Sequence, residues 1–422
     1  IMKKRLFLDI ETPMITGGIL PDKIFLIVGK DAESKEIFSF TEDKLEDFKT
    51  LVSNYDEFVG HNIIGFDAPV IHKVLAIDLH QQGKVIDTLV LSRLFNPVRE
   101  GGHSLKSWGD ALRFDKLDFK DFSQYSDEML TYCVRDVEVT EKVLTYLIRK
   151  YPDFAKEAIR LEHDVSRIIT QQERNGFLFD MGNAHLLLGK LREKINEIEI
   201  KVKERFIPLP TFVKEVKPRH RKDGTLSTVG LNSLGQGWVN VMGEFSLIEM
   251  KEFNLGSRQQ IGKYLQYFGW KPTKFTDKGH IIVDEKVLEG VEGIPEAELI
   301  RNFLLLQKRI AQVSSWVEAV AEDGRVHGRV ITNGAITGRM SHQSPNMAQV
   351  PAVYSPYGTE CRGLWVVPSG YKLVGVDASG LELRILSHYM NDKEYIDAII
   401  NGDIHTTNQN LAGLDTRDQA KT

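Results

Sequence analysis

The sequence predicts a multidomain α/β chain with a helical middle section. Three observations carry this reading. Strand and helix signals alternate over the first third, long amphipathic helical periodicities fill the centre, and near the far end an apolar run leads straight into another helical pattern. At 422 residues the chain exceeds one ordinary core, so two or three domains are expected. Hydrophobic content of 42% with 27% charged residues fits a soluble globular protein and excludes a low-complexity one. Cys133 and Cys361 are too few for a disulfide framework and suit a reducing cytosol. No apolar run is long enough for a membrane helix. The opening "IMKKRLFLDIET" lacks the apolar stretch and cleavage site of a signal peptide, and Ile1 ahead of Met2 reads as a cloning or processing remnant.

In order, "RLFLDIE", "IFLIVGK", "EIFSF" and "DEFVGHN" read as strands and "FDAPVIHKVLAI" as a helix. The strongest helix follows Ser126, with acidic residues in its first turn and Arg149 and Lys150 in its last; Pro152 marks a domain boundary. A long amphipathic helix then ends near Gly176, and Asp180 caps a second running to about Arg205, the pair forming an antiparallel hairpin. From Ile207 to Phe253 the pattern breaks into loops with room for a short hairpin. Helices return in "SRQQIGKYLQYFGW" and "PEAELIRNFLLLQKRIAQVSSWVEAVA". Strands follow in "GRVHGRVITNG", and "YKLVGVDASGLELRILSHYM" reads as a buried strand entering a helix. The expected division is 1–152, 153–323 with a variable insertion at 207–253, and 324–422. Net charge is −5, yet Lys201 to Lys222 is locally basic, as either a solvated face or a surface for a phosphate backbone.

Asp9 and Glu11 lie two apart on the first strand, hence on one face. Adjacent carboxylates repel unless a cation separates them, and hard oxygen ligands suit Mg2+ or Mn2+. Alone the pair is a weak signal, since acidic pairs on exposed strands are common. It gains weight from Asn62, Phe66 and Asp67 where a strand yields to a helix, and from Tyr132 and Asp136 four apart on one helix face. Phosphodiester hydrolysis with two metals needs carboxylates that hold ions roughly 3.5–4 Å apart. A tyrosine one turn from a ligand can orient the water, and Asn62 with Phe66 can position a terminal nucleotide.

The order Asp-x-Glu, Asn-x-x-x-Phe-Asp, Tyr-x-x-x-Asp resembles the DEDD superfamily of 3′–5′ exonucleases in its tyrosine-bearing branch. The resemblance implies a ribonuclease H-like domain with Asp9, Glu11, Asp67 and Asp136 holding two Mg2+ or Mn2+ ions and Tyr132 beside them. Cys133 is read as packing, and His61 has no assigned role.

Asp377 ends the apolar run at "VDASGLE", where it either faces a cleft or caps the next helix. The stretch resembles motif A of family A DNA polymerases. That resemblance makes Asp377 and the Ala378 carbonyl metal ligands for two further ions, and Glu382 a steric gate against a ribose 2′-hydroxyl. Upstream, "NGAITGRMSHQSPNMAQVP" resembles the primer-template segment, with Arg339 and Gln349 at duplex-contacting positions, and His405 matches a position near the incoming phosphates. "TRDQAKT" resembles the start of motif B, with Arg417 and Lys421 clamping a triphosphate.

"TGRMSH", "SPYGTECR", "DASGLELR" and "NGDIHTTNQ" resemble the T-seven-like phage replicative polymerases more than bacterial DNA polymerase I. The implied architecture is a ribonuclease H-like exonuclease domain, a helical thumb and an incomplete palm, working in the cytoplasm of a bacterial host. The implied partners are DNA primer-template, single-stranded 3′ ends and dNTP. That subfamily captures host thioredoxin with a thumb insertion, but the sequence at 207–253 does not match it, which weighs against a thioredoxin-like factor. The aromatic part of motif B and the later His-Asp-Glu motif are missing, so the chain alone is not expected to polymerise. A second polypeptide is the expected source of the rest, with an interrupted gene or a truncation as the other accounts. Two rivals stand beside this reading: a non-catalytic DNA-binding subunit and a stand-alone repair exonuclease.

Overall fold

The structure is a computed structural model that describes residues 3–14, 20–227, 231 and 243–416. Arg417 and Lys421 lie outside the described residues. By internal contacts the chain divides into two units, Ile1–Val366 and Val367–Thr422.

The first unit opens with a five-stranded mixed sheet of order β3-β2-β1-β4-β5. Strands β1 (Arg5–Glu11), β2 (Leu26–Asp31) and β3 (Ile37–Thr41) form an antiparallel meander. Helix α1 (Leu45–Val52) carries the chain over to β4 (Glu57–Gly60), which lies parallel to β1 on its other side. Helices α2 (Asp67–Leu75) and α3 (Leu79–Gln82) then lead to β5 (Lys84–Asp87), parallel to β4. Helices α4 (Thr88–Phe95), α5 (Leu105–Ala111) and α6 (Asp127–Lys150) follow. The Ser126 hydroxyl caps α6 by accepting from the Met129 N–H at 3.1 Å.

Strand alternation divides β1 between two cores. Leu6, Leu8 and Ile10 join Phe48, Phe58 and Ile71 on one side of the sheet. Phe7 joins Val59, Met129 and Val137 on the other. Asp9 and Glu11 share the parity of Phe7, which puts them on the face that α6 covers.

Helix α7 (Lys156–Asn175), strand β6 (Phe177–Leu178) and helix α8 (Met181–Arg205) come next, and the Asp180 carboxylate caps α8 through the Asn183 N–H at 2.9 Å. The expected hairpin of α7 and α8 is not the packing found. The link between them contains β6, which pairs with β9 (Arg325–Val326) and redirects the chain. Helix α8 then packs along α11 (Pro295–Glu318), and α7 packs against α4 and β10 (Arg329–Ile331). The broken region contains the hairpin the sequence allowed, β7 (Leu209–Val216) against β8 (Phe245–Lys251). Helices α9 (Arg258–Tyr267) and α10 (Glu285–Glu289) precede α11, while β11 (Ser341–Gln343) pairs with β10 and α12 (Gly358–Gly363) closes the unit.

The second unit holds α13 (Leu381–Met390), α14 (Lys393–Asn401) and α15 (Ile404–Ala412). The buried strand expected before α13 is absent. Residues 371–378 are irregular, with Val374 79% and Val376 95% exposed. A strand needs neighbours for its N–H and C=O groups, and no strand occurs among the described residues after Gln343.

Trp316 of α11 is fully buried in the core that α11 shares with α8 and packs edge-on against Trp365 with ring centroids 5.3 Å apart. Trp316→Ala is expected to destabilise the first unit by about 3–5 kcal/mol in urea unfolding.

Candidate active site

Three separate elements deliver the acidic residues. Asp9 and Glu11 end the central strand, where β1 runs past its pairing with β4. The Ile10 N–H on that open side donates to Asp67 Oδ1 at 3.2 Å, which ties the first residue of α2 to the strand. Tyr132 and Asp136 come from one face of α6. Glu11, Asp67 and Asp136 are buried, and Asp9 keeps part of its surface exposed. The structure therefore brings together Asp9, Glu11, Asp67, Tyr132 and Asp136 from stretches far apart in sequence.

Burial is the main influence on all of these carboxyls, and repulsion from neighbouring carboxyls adds to it for Asp9, Glu11 and Asp67. Asp9 is raised well above the ordinary range by burial, then by Asp67, Asp136 and Glu11. Glu11 is pushed up to about 8 by burial and the Asp136 charge, and Asp67 to about 7 chiefly by burial. Asp136 is raised by burial against the opposing pull of Lys116. Tyr132 is pushed up to about 12 by burial and Asp136, so its hydroxyl keeps its proton at neutral pH.

The donors fit a hard divalent cation. Ligand atoms of Asp9, Glu11 and Cys133 lie within 4.8 Å of one another. Burial raises the Cys133 thiol, which faces Asp9 Oδ2 at 3.5 Å and the Asp9 carbonyl at 3.6 Å as a donor. That leaves carboxylate oxygens as the ligand set, a set for Mg2+ or Mn2+. Asp136 Oδ1 is buried without a hydrogen-bond partner, as a ligand atom would be before its cation arrives.

The turn at "HNIIGFD" is held by a residue the sequence reading did not select. Asp87 ends β5 and caps α4, and its two oxygens also accept from the Asn62 N–H at 2.9 Å and the Ile64 N–H at 3.1 Å. Asn62 takes a left-handed backbone, φ 67°. A Cβ on Gly65 would meet Asn62 Oδ1 at 2.5 Å, so a side chain there would push the Asn62 amide aside. Asn62 and Phe66 line a cavity of about 470 Å3. The signal for Asp87 was an Asp between a strand and a helix, which reads equally as an ordinary N-cap. A second missed residue, Lys116, lies 2.5 Å from Asp136 Oδ2 and belongs to no recognisable pattern. His61 is driven down to about 3 by burial and bonds Thr88 at 2.9 Å, a packing role.

The polymerase-like residues lie in both units. In the first, Arg339 and Gln349 are exposed, and the Gln349 carbonyl accepts from Gln312 at 2.6 Å. In the second, Asp377 and Ala378 sit on the exposed irregular stretch and Glu382 lies in the first turn of α13. The His405 N–H donates to the α15 cap Asp403 at 3.1 Å, and His405 Nδ1 is buried without a partner.

An α/β sheet with carboxylates gathered at the end of its central strand defines a protein with an acidic centre suited to divalent cations. The family model described as DNA polymerase family A matches residues 234–422. The DNA-directed DNA polymerase of Escherichia phage T7 is 33% identical over 86% of this chain and 66% of its own length. The polymerase of Enterobacteria phage T3 matches to the same extent. DNA polymerase I of Helicobacter pylori strain J99 is 33% identical over 39% of this chain and 18% of its own length. Among solved structures, the POL domain of Pol1 from M. smegmatis, in complex with DNA primer-template and dNTP, matches with TM-score 0.70 and 17% identity over 99% of this chain and 66% of that one. The chain belongs to DNA polymerase family A and is of the phage T7/T3 type. It spans about two thirds of the length of those phage relatives.

The raised carboxyls fix the sign of a pH dependence. Their folded values lie above the unfolded ones, so their contribution to stability is full below about pH 4 and is lost as pH rises through about 7 for Asp67 and about 8 for Glu11. Metal binding needs the ionised forms and strengthens over the same range. The metal-free melting temperature is expected to fall between about pH 4 and about pH 8, saturating Mg2+ to reverse the trend, and Glu11→Gln to flatten it. A metal-free profile that rises over this range contradicts the assignment.

Proposed function

We propose that the first unit carries a metal-dependent 3′–5′ exonuclease that trims DNA 3′ ends, joined to part of a family A DNA polymerase. The convergence of Asp9, Glu11, Asp67 and Asp136 beside Tyr132 carries this reading. The strand order with β1 central supports a ribonuclease H-like domain at 1–152. A helical thumb at 153–323 and a partial palm from 324 complete the proposed organisation.

Divalent ions bound by the carboxylates would supply an activated water and stabilise the leaving oxygen. The chain's own residues would do the rest. Tyr132, held protonated, orients the attacking water rather than taking its proton. Asn62 and Phe66 hold the terminal nucleotide on the turn that Asp87 fixes. The partial exposure of Asp9 supports a reaction at the open side of the cluster.

DNA synthesis is proposed for the complete polymerase site. This chain would contribute Asp377 and Ala378 as metal ligands, Glu382 as the gate, Arg339 and Gln349 on the duplex, and His405, Arg417 and Lys421 on the triphosphate. The remaining palm and fingers residues would come from further sequence or a second polypeptide. The phage relatives support this reading and a bacterial host cytoplasm as its location.

With Mg2+, a 3′-labelled single-stranded oligonucleotide is expected to lose mononucleotides. Asp9→Ala with Glu11→Ala should lower the rate by about 10³-fold or more, because the ligands act together. Retention of the rate in a folded double variant would remove the site assignment.

A further inference from the structure

Lys116 lies in the irregular segment between α5 and α6, outside every motif of the acidic centre. Its ammonium is 2.5 Å from Asp136 Oδ2, while Oδ1 of the same carboxylate is buried and unpartnered. The ammonium also lies 4.7 Å from the centroid of the Tyr132 ring. Phe119 and Phe122 pack on that ring at 5.5 and 6.1 Å. The Lys116 side chain is only 21% exposed. Among the described residues it is the one cation among the main electrostatic influences on Asp9, Glu11 and Asp136. Nearby cations are engaged elsewhere: Lys106 pairs with Asp118, and Arg135 and Lys142 lie over Phe114.

An ammonium has three donors and no acceptor, so one group can bind a carboxylate and rest on an aromatic face together. A carboxylate free at both oxygens can turn about its last torsion, and the charge-assisted bond at Oδ2 removes that freedom. We propose that Lys116 is a positioning residue of the exonuclease centre, fixing Asp136 through one oxygen so that the other is available to a divalent cation, and fixing the Tyr132 ring one helical turn away. This rests on the exonuclease reading above. Partners that orient a metal-ligating carboxylate typically matter at the level of about 10–100-fold in metal affinity or activity.

The test measures Mn2+ affinity by the EPR signal of free Mn2+, and single-turnover cleavage of a single-stranded oligonucleotide at saturating Mn2+, for the wild type, Lys116→Met and Lys116→Arg. Lys116→Met is expected to bind Mn2+ about 10–100-fold more weakly and to cleave more slowly even when saturated. Lys116→Arg, which keeps charge and donors, should recover most of both, which separates positioning from misfolding. Unchanged affinity and rate in Lys116→Met would overturn the proposal. So would tighter Mn2+ binding, which would make Lys116 a competitor for the cation's place, and so would failure of Lys116→Arg to recover either quantity. If the wild type binds Mn2+ no better than Asp9→Ala with Glu11→Ala, the exonuclease reading falls and takes this proposal with it. A wild type that binds and cleaves beside an unaffected Lys116→Met removes Lys116 alone.

Discussion

The crowding of four carboxyls into one largely buried space is the constraint on which the first unit turns. Each is raised by burial, and neighbouring carboxyls add repulsion at Asp9, Glu11 and Asp67. Such a cluster persists only if protons, cations or hydrogen bonds offset the cost. The surrounding elements supply part of that compensation. Strand β1 lends the Ile10 N–H to Asp67, Cys133 on α6 faces Asp9, and Lys116 closes on Asp136. The rest would fall to protons or to a divalent cation, and that incompleteness makes the acidic cluster a candidate metal site.

Much of the scaffold was legible in the sequence because local rules decided it. The first strand covers the expected "RLFLDIE", Ser126 and Asp180 cap the helices assigned to them, and Gly176 ends α7. Period-two alternation placed Asp9 and Glu11 on one face, and helical spacing did the same for Tyr132 and Asp136. Non-local decisions were not legible. The choice of α11 over α7 as the partner of α8 depends on a two-residue strand pairing nearly 150 positions away. Asp87 looks like a plain N-cap in sequence, yet in three dimensions it also holds the Asn62 turn. Lys116 reaches the centre from an irregular segment, where no period constrains the direction of a side chain.

The apolar run before α13 shows the opposite failure. Its composition predicts a buried strand, yet composition supplies only half of what a strand needs. Without a neighbouring ladder among the described residues, Val374 and Val376 remain exposed and Asp377 sits on irregular backbone. The family match covers this segment, and the polymerase roles proposed for it concern a complete site.

Whether the cluster is a metal centre decides the chemistry of the first unit. The most direct measurement is anomalous diffraction from crystals of the protein soaked in Mn2+. Mn2+ peaks are expected between Asp9, Glu11, Asp67 and Asp136, with Lys116 still on Asp136 Oδ2 and a metal at Oδ1. A cluster that stays free of Mn2+ at saturating concentration, whatever Mn2+ binds elsewhere, would contradict that expectation.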